Sequence, residues 1–487
     1  MYAQPPFQNP GIDRTDPQSI YEYSRLLMDK SLHEVAGDHA VVQARKGKGG
    51  LGQMVEELFF GYEVNNNPEA DFSEAGVELK CTPLLPKKQG IGYRIKEHLV
   101  CTMIDYFELA RTPFEQSHLL MKCRLMLLLF YLHRYDVPAY DFKFLFRVLW
   151  ELPEKDLLII KQDYETIAEK VRRGEAHLLS EGDTNYLGAC RKGQKGDSPQ
   201  PQPFSSEKAI KRAFSLKPAY MRYILEHVVN TENGSYTNFR SKDSSAFELV
   251  DTSELVKKPF ETIITERFRP FFGLNFIEIC HRLNISPYQA KNKYADVSAL
   301  IASNGVSKRL STAEEFAKSG IVMKTVRLRA NGMPRESMSF KNIDYQEIAE
   351  NDEWIDSELY EIFTGRFMFV VFRPDGRTIT MLNNATGQSV TEPSYVLTDV
   401  FFWTMPASDL ATAQEYWEDI RRNVLADNIN SGAFWKLEHN RKFHVRPKAT
   451  NSSQLAVNPN GGSCPKYCYW FNAEYVKEII DSDKNVH

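Results

Sequence analysis

Asp71-Phe72-Ser73-Glu74-Ala75-Gly76-Val77-Glu78-Leu79-Lys80 ends in four residues that alternate between apolar and charged. Side chains alternate faces along a strand, so Glu78 and Lys80 project together while Val77 and Leu79 turn into a core. A carboxylate therefore stands beside an ammonium group. Ala75-Gly76 permits a tight entry to the strand, and Asp71 can fold back from the preceding turn, so that two carboxylates converge with a lysine next to them. Two acidic groups suit a hard divalent cation that keeps much of its water and takes phosphate oxygens of a substrate. The lysine can then orient an attacking water or neutralise charge that develops on phosphorus. A Glu-x-Lys triplet alone also describes a solvated strand edge with a surface ion pair. The aspartate at this offset, the glycine and the apolar inward face favour the site.

The chain has 487 residues, more than one ordinary core accommodates, so two or three domains are expected. Charged residues at 25% and hydrophobic ones at 42% are globular values. The longest apolar run, Leu125 to Leu132, falls short of the roughly twenty residues of a membrane helix and reads as a buried central strand. Met1-Tyr2-Ala3-Gln4-Pro5-Pro6 has no basic region before an apolar core, and the seven cysteines lack a framework spacing; both fit the cytoplasm. Cys464 and Cys468 lack the second pair that a zinc site needs. A net charge of −4 weighs little against a nucleic-acid partner, because a nuclease gathers carboxylates at its metal and an acidic protein can carry a positive cleft.

Working outward, Ser19 to Ala36 has apolar residues at helical spacing, with Gly37 as a stop. Arg45-Lys46-Gly47-Lys48-Gly49-Gly50 is too rich in glycine for a helix and leads into a helical stretch, Leu51 to Phe60, that carries Glu56. Lysines beside exposed N–H groups at a helix start suit a DNA phosphate, and the Gly-Lys-Ser/Thr of a nucleotide loop is absent. Beyond the strand ending at Lys80, Lys87, Lys88, Arg94 and Lys96 form a basic connection, and Val100 to Leu109 reads as helix. Asp163 to Arg173 is an amphipathic helix ended by Gly174. Lys192 to Ser206, rich in Gly, Ser, Pro and Gln, reads as a loop, and Phe214 to Val228 as strand then helix. His118 and His444 belong to no Gly-x-Ser-x-Gly or His-Glu-x-x-His motif and read as structural or exposed.

Asn230 to Ser245 is polar and poor in apolar residues, which sets the expected domains at 1–229 and 253–487 with a linker over 230–252. The second domain partly repeats the first. Gly76-Val77-Glu78-Leu79-Lys80 is echoed by Gly320-Ile321-Val322-Met323-Lys324, and Asp71-Phe72 by Glu315-Phe316. Tyr164-Glu165-Thr166-Ile167 is echoed by Trp417-Glu418-Asp419-Ile420, and Leu216 with Tyr220-Met221 by Phe471 with Tyr475-Val476. Short echoes in a common order point to a duplicated fold. Val322 stands where Glu78 stood, and Glu315 alone cannot hold a catalytic cation well. Lys324, Arg327, Arg329, Arg441, Lys442, Arg446 and Lys448 remain as basic groups.

The ten residues quoted first resemble the Asp…Glu-x-Lys signature of the restriction-endonuclease-like nucleases, and more narrowly that of the MutH mismatch-repair endonucleases. Lys48 to Glu56 resembles the MutH glycine-rich turn and helix with a further active-site glutamate. Ser117-His118-Leu119-Leu120-Met121-Lys122 resembles a Ser-His…Lys segment there, and His444-Val445-Arg446-Pro447-Lys448 the Arg-Pro-Lys segment that reads the DNA site. The likeness extends over nearly the whole length to the two-domain type II restriction enzymes that cut GATC. It implies an α/β fold of two tandem restriction-endonuclease-like domains, each a mixed sheet flanked by helices, the first catalytic and the second DNA-binding.

The resemblance further implies Mg²⁺-dependent hydrolysis of double-stranded DNA on the 5′ side of the G in GATC, stimulated by a second GATC copy on the second domain. Asp71 and Glu78 would hold the cation, Lys80 would orient the water and Glu56 would support the site. Lys48, Lys122, Lys192, Arg446 and Lys448 would contact DNA. In the first half Cys190 occupies the position of Arg446, with Lys192 matching Lys448, a departure from a simple transfer of the base-reading arginine. Dimers or loops on two-site DNA, a cognate methyltransferase and no membrane complete the expectation. The alternatives are a nicking repair nuclease that needs a protein activator and a DNA-binding regulator that has lost its chemistry.

Overall fold

The computed structural model describes residues 12–45, 50–62, 69–87, 92–192, 198–229, 247–383, 386–430, 432–439, 442–447 and 454–484. It divides into two compact units, Met1–Ala246 and Phe247–His487.

In the first unit the strands are β1 (Glu78–Pro86), β2 (Tyr93–Ile95), β3 (Leu99–Met103), β4 (Leu125–Leu132), β5 (Phe144–Glu151), β6 (Leu187–Arg191), β7 (Gln200–Gln202), β8 (Ser205–Ala209) and β9 (Arg212–Leu216). A mixed sheet runs β2-β1-β4-β5, with β1 and β4 parallel, and an antiparallel sheet runs β3-β9-β6. The Leu125–Leu132 run is indeed the central strand, with Met126 to Phe130 fully buried as a strand covered on both faces requires. One face of β1 and β4 packs Val77, Leu79, Leu127 and Leu129 against Val55, Phe59 and Phe60 of the helical segment that precedes β1. Sharing one core fixes that segment against the sheet.

The second unit repeats this plan with β10 (Val322–Arg327), β11 (Met338–Asn342), β12 (Arg366–Asn383), β13 (Gln388–Thr404), β14 (Phe443–Pro447), β15 (Leu455–Val457), β16 (Ser463–Pro465) and β17 (Tyr467–Phe471). Its mixed sheet runs β10-β12-β13, with β10 parallel to β12, and its antiparallel sheet runs β11-β17-β14. Helices recur in step: Glu154–Arg172 after β5 and Ala407–Leu425 after β13 each have 19 residues, and Pro218–Val229 and Ala473–Lys484 each have 12. In both units a buried tyrosine clamps a buried aspartate of the long helix, Tyr220 to Asp156 and Tyr475 to Asp409, each at 2.7 Å.

Several elements differ from the sequence reading. Ser19 to Ala36 is not one helix: Pro17–Ser24 runs into a tight turn, and Ser31 caps a new helix at Leu32 through a reciprocal box with Glu34. Val100 to Leu109 is strand β3 followed by the helix Tyr106–Leu109, because Asp105 caps the backbone N–H groups of Phe107 and Glu108 and starts the helix afresh. The strand that contains Lys80 continues to Pro86. Within the expected loop over Lys192 to Ser206, β7 and the start of β8 form a hairpin held by the Gln202 side chain, which accepts from Ala176 N and donates to the Glu207 carbonyl. The tip of that hairpin presses on Gly174, where a Cβ would lie 2.6 Å from the Phe204 carbonyl oxygen.

Candidate active site

The turn before β1 is closed by a two-way backbone pair between Phe72 and Val77, with Gly76 at φ 66°. A positive φ favours glycine, and here it lets the chain double back on itself. Asp71 is thereby returned to the start of β1, where its Oδ2 accepts from Leu79 N at 2.9 Å and its own N–H donates to Glu78 Oε2 at 3.3 Å. Each acid is thus held by a backbone N–H, Asp71 by that of Leu79 and Glu78 by that of Asp71.

Glu78 is 2% exposed and takes two ammonium groups. Lys80 Nζ lies 2.7 Å from Oε1, and Lys122 Nζ lies 3.3 Å from both oxygens. Lys122 arrives from the helix His118–Cys123, which Ser117 caps and which feeds directly into β4. Parallel pairing of Glu78 with Met126 brings that helix end to the start of β1. Glu56 is buried in a single π-helical turn, Val55–Phe59, a local widening that is rare in helices and recurs at functional sites.

The carboxylates feel one another. Burial, then the charges of Asp71 and Glu78, raise the Glu56 pKa to about 7. Burial and the Glu78 charge push Asp71 upward as well. Burial works to lower the Lys80 ammonium, but its bond to Glu78 outweighs that, and its pKa is raised. Among the described residues no three His, Cys, Asp or Glu side chains form a ready-made metal cage. The donors that do converge are hard carboxylate oxygens with mutual repulsion to relieve, which is the chemistry that suits a hydrated divalent cation.

Lys192 lies just past β6, exposed, in the other sheet of the unit. Arg446 is exposed on β14 of the second unit, its guanidinium 5.2 Å above the Trp470 ring. Lys48 and Lys448 fall outside the described residues. His118 is half exposed and pairs with Glu108 at 3.3 Å, while His444 is fully buried and bonds Asn472 through Nδ1. The seven cysteines are free thiols, and among the described residues no helix is long and apolar enough to cross a membrane. Trp470 had no motif to mark it, since an aromatic residue in an aromatic strand reads as core.

At the matching place in the second unit, Val322 opens β10 and is 41% exposed. Glu315 has turned away to accept from the N–H groups of Leu249 and Val250, and Lys324 donates to the Ser339 carbonyl.

A mixed sheet with an acid pair and a lysine at the mouth of its central parallel strands defines a restriction-endonuclease-like nuclease domain. The family model of the DNA mismatch repair enzyme MutH matches residues 60–163. The MutH protein of Shewanella woodyi is 26% identical over 235 residues, which span 46% of this chain and 97% of that protein; the one from Shewanella amazonensis is 28% identical over 170 residues, or 34% of this chain and 73% of that protein. A type II restriction enzyme of Staphylococcus aureus, Sau3AI, is 31% identical over 482 residues, spanning 93% of this chain and 92% of that enzyme. The chain belongs to the Sau3AI family of type II restriction enzymes, site-specific endonucleases and hydrolases of DNA.

Proposed function

We propose that the first unit hydrolyses both strands of duplex DNA at GATC, 5′ to the G, with Mg²⁺, and that the second unit binds a further GATC copy and stimulates the first. The observation that carries the catalytic part is the buried Glu78 carboxylate, held by Lys80 and Lys122 and clasped to Asp71. Asp71 and Glu78 would hold the cation, with Glu56 as an outer carboxylate. A divalent ion in this place supplies positive charge against the scissile phosphate and the leaving oxygen. The Lys80 ammonium, 2.7 Å from Glu78 Oε1, would orient the attacking water. Lys122, named above for DNA contact, shares Glu78 with Lys80 and can neutralise charge growing on the phosphate oxygens. Lys48 and Lys192 are left for the phosphate backbone, and Arg446 with Lys448 for the bases and backbone of the second copy. Glu315 and Val322 leave that unit without an acid pair, so its role is binding.

Plasmid of known sequence is incubated with pure protein and Mg²⁺, beside a Glu78→Ala control, and the ends are sequenced. Double-strand ends 5′ to GATC, absent from the control, are expected; random ends overturn the proposal. The MutH match to residues 60–163 favours a second reading, a nicking repair nuclease that needs an activator. Single-strand nicks alone would select it. Dimers or loops on two-site DNA and a cognate methyltransferase that protects the host's own sites accompany the first reading.

A further inference from the structure

The strand pair β14–β17 carries an arrangement that its counterpart β6–β9 lacks. Register places His444 opposite Trp470 and Arg446 opposite Cys468; in the first unit the same pairs are Gly188 with Ser215 and Cys190 with Ala213. His444 and Arg446, two residues apart, share one face with Trp470. The His444 ring lies 5.9 Å from the Trp470 ring at an interplanar angle of 22°, and the Arg446 guanidinium lies over the same indole at 5.2 Å. Three planar groups therefore occupy a face that carries only the small residues Gly188, Cys190 and Ser215 in the first unit.

His444 Nε2 and Trp470 Nε1 are both buried without a hydrogen-bond partner. What distinguishes this face from its counterpart is the stacking of the two rings and the guanidinium. His444 is held by its Nδ1 bond to Asn472, and burial keeps its pKa below the ordinary histidine value, so a neutral ring sits beside the arginine. An arginine on a flexible stem loses rotamer freedom when it grips a base edge. One already lying on an aromatic plane has lost it beforehand.

We propose that Trp470, braced by His444, is a positioning residue that preorganises Arg446 to read DNA, and that this platform makes the second unit a binder of a different kind from the first. The proposal rests on the second-site reading above. The first unit, with Cys190 at the place of Arg446, reads its site without such a platform.

The full-length protein is titrated in EDTA with a fluorescent GATC duplex and with a scrambled duplex of equal length, and duplexes bound per chain are counted by sedimentation. Two GATC duplexes per chain are expected for the wild type. Arg446→Ala and Trp470→Leu should each weaken one of the two about tenfold, while Trp470→Phe, which keeps a π face, stays near wild type. Leucine keeps apolar bulk, so a purely structural role for Trp470 would be served by it as well as by phenylalanine. The Arg446→Ala/Trp470→Leu double variant should bind no more weakly than Arg446→Ala alone. Equal binding by the Leu and Phe variants, or additive losses in the double variant, would overturn the platform while leaving the second site intact. No effect of Arg446→Ala would likewise overturn the platform alone, whereas one duplex per wild-type chain would overturn the second-site reading and this proposal together.

Discussion

The two mixed sheets each open after a left-handed glycine, in a bridged turn in the first unit and at the end of the helix Glu314–Ser319 in the second, and they end with opposite chemistry. In the first, Gly76 leads into Glu78 and Lys80; in the second, Gly320 leads into Val322 and Lys324, with both glycines at positive φ, 66° and 69°. Parallel pairing follows in each, Glu78 with Met126 and Val322 with Phe367. The scaffold therefore does not depend on the acid. What separates the units is where the neighbouring charges have gone: Asp71 clasps Leu79 at the strand mouth, whereas Glu315 has been recruited to the backbone of Leu249 and Val250. A fold can keep its framework while the charged groups at its mouth are redirected to its own backbone.

The sharpest way to break this contrast is a matched pair of substitutions. Lys80→Met should reduce cleavage of a single-site duplex about a thousandfold, and Lys324→Met, at the equivalent position, should leave that rate within about twofold; comparable losses would mean that the second unit shares in the chemistry. Smaller effects test what the units hold in common. Tyr220→Phe and Tyr475→Phe each remove a donor from a buried aspartate and should cost about 1–3 kcal/mol in denaturant unfolding. Gly76→Ala and Gly320→Ala should each cost about 1–2 kcal/mol, because both positions hold a left-handed backbone despite their different settings; a variant as stable as the wild type would show that its position does not need one.

The smallest effect is a shift in melting temperature with pH. Glu56 has its folded pKa raised to about 7, so the folded protein keeps a proton that the unfolded chain has already released. Between the ordinary glutamate range and about 7 this group makes the metal-free protein less stable as pH rises. In the proposed site the ionised Glu56 supports the cation, so stabilisation by Mg²⁺ should grow over the same interval. Thermal melts with and without Mg²⁺ at several pH values measure it, and a Glu56→Gln variant should flatten the trend.

Much of this was readable from residue order. Glu78 and Lys80 share a face because strand periodicity is fixed, and the run from Leu125 to Leu132 had no other plausible fate than a central strand. The echoes between halves were legible because they kept their sequence order. Elsewhere the local signal was polar and specific, not apolar and periodic. Asp105 ends a strand and starts a helix with one side chain, and the β7–β8 hairpin hangs on the amide of Gln202. By sequence Lys122 reads as a DNA contact; its meeting with Glu78 is set by the parallel pairing of β1 with β4 and cannot be read from spacing.

The contacts that hold Asp71 and Glu78 also set the order in which the site comes together. The N–H of Leu79 grips one acid, the N–H of Asp71 the other, and Lys122 reaches them only from the helix that leads into β4. The last of these contacts alone waits for β4 to pair with β1. A chain in which that pairing is missing therefore keeps the local turn at Asp71 but leaves Glu78 with one ammonium instead of two.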